Sequence, residues 1–333
     1  MAIKELTKDR EQAWEDFLTA QEQANFSHSI GMRKIIRDNY GLADHYLINI
    51  DNRDSITGIL PLFKTGKKNF ISLPFTDWAG FVGAESAKKE FNDYLINRSL
   101  NQGEKYELRQ SRETGLGQAS PNIDNICSLI DLGVTADDLW KRIDKKARNQ
   151  VRKAEKYNPE YLKQKELLPD FYLLYLKSMK RHGTPAHKIG FFADILKQFD
   201  GAICAVKYND KIAAAALTFV YKNTLHIPWA ASDRKLKSFN FNDYLYWRIM
   251  AESCRPEIKK IDLGRSQIGS PVAKFKSQWN CRNITLPYYL ISSDQKTIKT
   301  PQKSCLRYAS KIYRLLPLNI TALIGPKLRK YLP

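Results

Sequence analysis

Two stretches in the second half of the chain gather the residue types that hold phosphate or carboxylate groups. "AASDRKLKSFN" places Arg234, Lys235 and Lys237 almost side by side. "DLGRSQIGSPVAKFKSQW" follows an apolar run and arranges Asp262, Arg265, Ser266 and Ser270 around Gly264 and Gly269. Fixed cations bind anions through charge-assisted hydrogen bonds, and glycines let the backbone turn sharply beside a ligand. Most loop lysines are simply solvated, so the elements that carry these residues must decide.

The elements follow from a repeat. "FNDYL" occurs at Phe91–Leu95 and again at Phe241–Leu245. Ahead of the second copy, turn pairs at Asn209-Asp210 and Lys222-Asn223 divide three strands, Ala202–Lys207, Ile212–Tyr221 and Thr224–Pro228. Ahead of the first, the same rhythm predicts Tyr46–Ile50, Ile56–Phe63 and Asn69–Leu73. Two helices precede each meander, Lys8–Gln23 with Ser29–Asn39 and Pro169–Arg181 with Lys188–Phe199. Each FNDYL lies in a helix leading to a further strand, "YELRQ" or "IKKIDLG", and Asn240 is placed to cap the second helix. The pentapeptide itself reads as a core face, with its aromatic and leucine positions at helical spacing.

In each unit the last two strands are joined by a helix and should therefore run parallel. Ligands favour the carboxyl ends of such strands, and both cationic stretches lie there. The expected fold is α/β (mixed α+β), two tandem domains each with a mixed sheet flanked by helices, over 1–134 and 135–292. A basic tail covers 293–333.

The chain holds 54 Lys+Arg against 35 Asp+Glu, a formal charge of +19, which favours anionic partners. Between the repeats, "DDLWKRIDKKARNQVRKAEKYNP" predicts one helix with an apolar stripe of Leu139, Trp140, Ile143, Ala147, Val151 and Ala154 and a cationic remainder suited to a polyanion such as tRNA. Thr135 and Asp138 resemble a capping box. The tail mixes cations with Leu, Ile and Tyr, so it either packs as a terminal helix or lies on an anionic membrane surface. Cys127, Cys204, Cys254, Cys281 and Cys305 show no CxxC and no histidine at ligand spacing, so reduced thiols and no metal site are expected. No signal peptide and no membrane-spanning run is apparent, and a cytoplasmic protein is expected.

Together with "MKRHGTP" and "LIGPKLRKYLP", the basic helix and the two cationic stretches resemble the FemAB-related proteins, in particular the exosortase/PEP-CTERM-associated subgroup. That resemblance spans nearly the whole chain and implies two GNAT-type domains and an N-acyltransferase or aminoacyltransferase. The acceptor would be the amine of a cell-envelope precursor, in peptidoglycan or exopolysaccharide synthesis, handled at the inner membrane. It also implies that Lys276, following Phe275, stabilises the oxyanion or holds substrate phosphate. Arg265 and the 234–237 loop would then bind phosphate, with Asp262 as proton acceptor or orienter. No tightly bound cofactor and no covalent enzyme intermediate is implied. The loop "DRKLKSFN" lacks the glycines of a GNAT pyrophosphate loop, and no long helical hairpin is inserted. The donor thus stays open between aminoacyl-tRNA, acyl-CoA and an acyl carrier protein, and a non-catalytic RNA- or membrane-binding relative is a further alternative.

Overall fold

The computed structural model describes residues 2–117, 120–133, 135–293 and 303–332. They divide into two compact units, one of Met1–Asn125 with Thr285–Leu306 and Lys330–Pro333, the other of Ile126–Ile284 with Arg307–Arg329. Residue 134, the expected domain boundary, lies outside the described residues, as do 294–302 of the tail and the Cys305 side chain.

In the first unit, helices Glu11–Ala20 and Ile30–Tyr40 precede the meander strands, as the repeat predicts, but an unexpected strand, Ala2–Glu5, comes before them and pairs with Leu47–Ile50. The expected three-stranded meander, however, divides between two sheets. Leu47–Ile50 and Ile56–Leu60 pair with each other, whereas Phe63–Lys64 pairs with Asn69–Ile71. Pro61 lies at the break, where a residue without an N–H cannot extend the ladder. Asn69–Ile71 and Lys105–Arg109 run parallel, joined through helix Glu85–Gln102.

In the second unit the meander is unbroken. Ala202–Tyr208, Lys211–Tyr221 and Thr224–Ser232 follow in antiparallel register, and Asn209, Asp210 and Lys222 supply the positive φ that the tight turns require. Helix Phe241–Glu252 then crosses to Lys260–Gln267, which pairs parallel with Thr224–Ser232. Phe241, Leu245, Ile249 and Met250 from that helix, with Trp279 and the strand residues Val206, Ala214 and Ile261, form this unit's core.

The two FNDYL copies bury the same framework, with Phe91 and Leu95 at 0% exposure and Phe241 and Leu245 at 2% and 0%. Their aspartates differ: Asp93 is exposed, whereas Asp243 is buried and accepts a hydrogen bond from Gln278 Nε2 at 2.8 Å.

Three local expectations are corrected. Asn240 stands at the helix start, but its side chain makes no capping hydrogen bond; it serves through its left-handed backbone, φ 59°. The basic connector is two helices, Ala136–Arg142 and Lys145–Glu155, because Ile143 and Asp144 take extended backbone between them. Ile143 still joins the buried stripe. Thr135 Oγ1 does accept from Asp138 N–H at 3.1 Å, but it also donates to the Asp138 carboxylate at 2.7 Å, so the short aspartate answers the threonine hydroxyl.

Candidate active site

The two parallel strands of the second unit hold register only from Thr224–His226 against Lys260–Asp262. Beyond His226, Thr224–Ser232 stays paired to Lys211–Tyr221 as far as Ser232. Its other edge has parted from Lys260–Gln267. A wedge opens where the strands separate, and the expected site residues fall around it at different depths.

At the vertex, Asp262 and His226 face each other, with Asp262 Oδ2 3.3 Å from His226 Nδ1. Asp262 Oδ1 accepts from Cys127 Sγ at 3.0 Å and from Gly264 N–H at 2.7 Å. Burial alone would raise this carboxyl, but the hydrogen bonds and charge of His226, then Cys127 and Gly264, hold it below the ordinary carboxylate value. A carboxylate so engaged, at 8% exposure, is a weak base. Both of its oxygens are engaged, which suits the orienting role of the two considered from the sequence.

This arrangement has a pH signature. A carboxyl whose pKa is lower folded than unfolded contributes stability above the unfolded value and loses it as pH falls through the folded one. The contribution of Asp262 should thus persist at neutral pH and disappear only below about pH 4. Asp262→Asn is expected to lower the thermal midpoint at neutral pH, and its deficit from the wild type should narrow near about pH 3. Thermal scans at the two pH values check this; a deficit that did not narrow would sink it.

Lys276 is 4% exposed and lies on helix Pro271–Ser277. Its Nζ donates to the carbonyls of Gly264 at 2.7 Å and Arg265 at 3.0 Å, just past the point where the strands part. Backbone acceptors that a neighbouring strand would otherwise satisfy are thus met by a fixed cation. Ser270 caps this helix, its Oγ accepting from Ala273 N–H at 3.2 Å. Arg265 is exposed, and Ser266 is buried with no hydrogen-bond partner for its Oγ among the described residues.

The cations of "DRKLKSFN" do meet at one place. A cavity of about 530 Å³ at the carboxyl end of Thr224–Ser232 is lined by Arg234, Lys237 and Phe275 of the expected set. An adjoining cavity of about 480 Å³ is lined by Arg234 and Lys235 together with Lys177. Asp262, Arg265, Ser266, Ser270 and Lys276 do not line either one.

Four further residues of the larger cavity escaped the sequence reading. Arg181 and His182 end helix Leu168–His182 and lie within "MKRHGTP", a stretch that sequence alone offered only as part of the resemblance. Partial burial, then the Arg181 and Arg314 charges, lowers the His182 pKa, so its imidazole is neutral at physiological pH. Gln150, from the basic helix, has a buried Oε1 with no partner among the described residues, and Asp243 is raised by burial. Anion donors, a neutral base and an unmet acceptor thus line one space. No single motif encodes that grouping, because its members come from separate segments.

On the basic helix, Lys145, Lys146, Arg152 and Lys153 are exposed, while Arg148 is occupied by the carbonyls of Trp140 and Lys141 at 3.2 and 3.0 Å. Cys127, Cys204, Cys254 and Cys281 form no disulfide among the described residues. No helix among the described residues is long and apolar enough to cross a membrane.

Residues 141–277 match the acetyltransferase (GNAT) domain family, a span that holds every residue of the two cavities. No curated protein matches the chain. Among solved structures, FemX is similar with a TM-score of 0.67 at 12% identity, covering 89% of this chain and 98% of its own. The C-terminal domain of a putative lysylphosphatidylglycerol synthetase from Agrobacterium fabrum gives 0.55 at 11% identity over 86% and 92%. A tandem GNAT protein from the clavulanic acid biosynthesis pathway gives 0.52 at 8% identity over 86% and 97%. The fold is of the tandem GNAT type: the repeat pointed to two tandem domains and the resemblance to their GNAT character.

Proposed function

We propose that this chain, which carries an acetyltransferase (GNAT) domain within a Fem-like tandem fold, is an N-acyltransferase or aminoacyltransferase that acts on an amine of a cell-envelope or polysaccharide precursor. The observation that carries this reading is the convergence of Arg181, Arg234 and Lys237 on one cavity beside the parted strands. These cations hold the phosphate-bearing part of the acyl donor, and the wedge receives its acyl end.

The amine attacks the carbonyl carbon of the donor ester or thioester. A C–N bond forms as the C–O or C–S bond breaks, and the leaving group departs with a proton. His182, neutral at physiological pH, takes the proton lost by the amine and passes it to the leaving group. Lys276 fixes the backbone at the wedge and supplies positive charge toward the developing oxyanion. Asp262 orients His226. The unmet Gln150 Oε1 accepts an N–H from the acceptor or from the acyl group.

The donor is aminoacyl-tRNA in the first reading, supported by the exposed cations of Lys145–Glu155, which suit a polyanion. The acetyltransferase match favours acyl-CoA as the second. Calorimetric titration with acetyl-CoA and with aminoacyl-tRNA at moderate salt separates them, since loose charge pairing is screened there. Arg234→Ala/Lys237→Ala should raise the Kd of whichever donor binds by about tenfold per cation removed. Unchanged affinity in the double variant would remove the cavity from donor binding.

A further inference from the structure

The end of the second unit turns its large apolar side chains outward. Helix Leu318–Arg329 packs inward through its small residues, Thr321 and Gly325. A Cβ at Gly325 would lie 2.7 Å from the Tyr313 hydroxyl and 3.0 Å from Ala186 N, so the close approach needs glycine there. The Tyr313 hydroxyl donates to the Thr321 carbonyl at 3.0 Å, tying this helix to the preceding one, Lys303–Leu315. Arg314 and Ser310 in turn donate to the His182 carbonyl at 3.2 and 3.5 Å.

With the inward faces pinned, Ile312, Leu315, Ile320 and Leu323 are 62%, 84%, 40% and 68% exposed. Lone surface leucines are ordinary, but four large aliphatics within so short a stretch are not. Lys311, Arg314 and Lys327 are exposed among them, and the sequence from Gln295 to Pro333 contains no Asp or Glu. Apolar anchors amid cations, with no acid nearby, match the boundary between acyl chains and anionic headgroups. A second copy of the chain is a poor occupant, since it brings the same cationic face and a formal +19 charge.

We infer that this face docks the protein on the surface of an anionic lipid bilayer. The inference stands apart from the choice of acyl donor. Because the same helices brace His182, docking holds the cation-lined cavity beside the membrane, where a lipid-carried acceptor would arrive.

Co-sedimentation of the full chain with vesicles tests this, using phosphatidylcholine alone and phosphatidylcholine mixed with phosphatidylglycerol. The wild type should bind the mixed vesicles and bind the neutral ones weakly. Leu315→Ser/Leu323→Ser changes exposed residues only, so an unaltered thermal midpoint is expected alongside a roughly tenfold or greater loss of vesicle binding. Three results overturn the proposal. They are no wild-type binding to the mixed vesicles, undiminished binding by the variant, and wild-type self-association without lipid that the variant abolishes, which would give the face to a second copy.

Discussion

Replacing His182 with asparagine is expected to slow acyl transfer by roughly 10²–10³-fold while leaving donor affinity nearly unchanged. The cavity contains cations, the carboxyls of Asp233 and Asp243 and a neutral imidazole; Asp233 already accepts from Lys235 N–H and Asp243 from Gln278, which leaves the imidazole to offer the lone pair of suitable basicity. Asp262, the alternative from the sequence, has its oxygens committed to His226, Cys127 and Gly264. The pH profile distinguishes a base from a merely structural histidine. With its pKa below the ordinary 6.5, His182 is predominantly deprotonated at and above neutral pH. The wild-type rate should therefore be flat there and fall as the medium is acidified through the lowered pKa. The residual activity of His182→Asn should lose that acid limb. A variant that keeps both its rate and the limb would place the proton acceptor elsewhere.

The second large effect is expected at Lys276. Lys276→Met keeps the aliphatic stem but removes the donors that hold the Gly264 and Arg265 carbonyls. Hydrogen bonds to a charged group contribute about 1.5–3 kcal/mol each, and buried acceptors left unmet add a penalty, so a lowered thermal midpoint is expected. Removal of a fixed positive charge from the wedge should also reduce kcat by roughly 10²-fold. Measuring both quantities separates the two contributions. A lowered midpoint with full kcat would confine Lys276 to holding the parted strand, and full activity with an unchanged midpoint would remove both roles.

The fold was legible in the sequence to a large extent. Turn residues such as Asn209 and Asp210 mark strand ends because few side chains tolerate their backbone angles, and helical spacing marked Phe241 and Leu245 as core. What went astray were consequences of a single backbone atom or a single turn. Pro61 sent half of a meander to another sheet, and Asn240 served through its φ angle instead of its amide.

The site divided in a similar way. Sequence by itself determined that Arg234, Lys235 and Lys237 follow a strand and precede a crossover helix, because local periodicity and the parallel crossover rule set where that loop must lie. Only the tertiary structure decided the rest. It joined Arg181, His182 and Gln150 to that loop, buried Asp243 while leaving its counterpart Asp93 in solvent, and set Lys276 on two carbonyls away from the cavity. Periodicity reports which face of one element is apolar. Which polar side chains from separate elements share a space depends on where the strands part and how the helices pack, and neither leaves a mark at any one position in the chain.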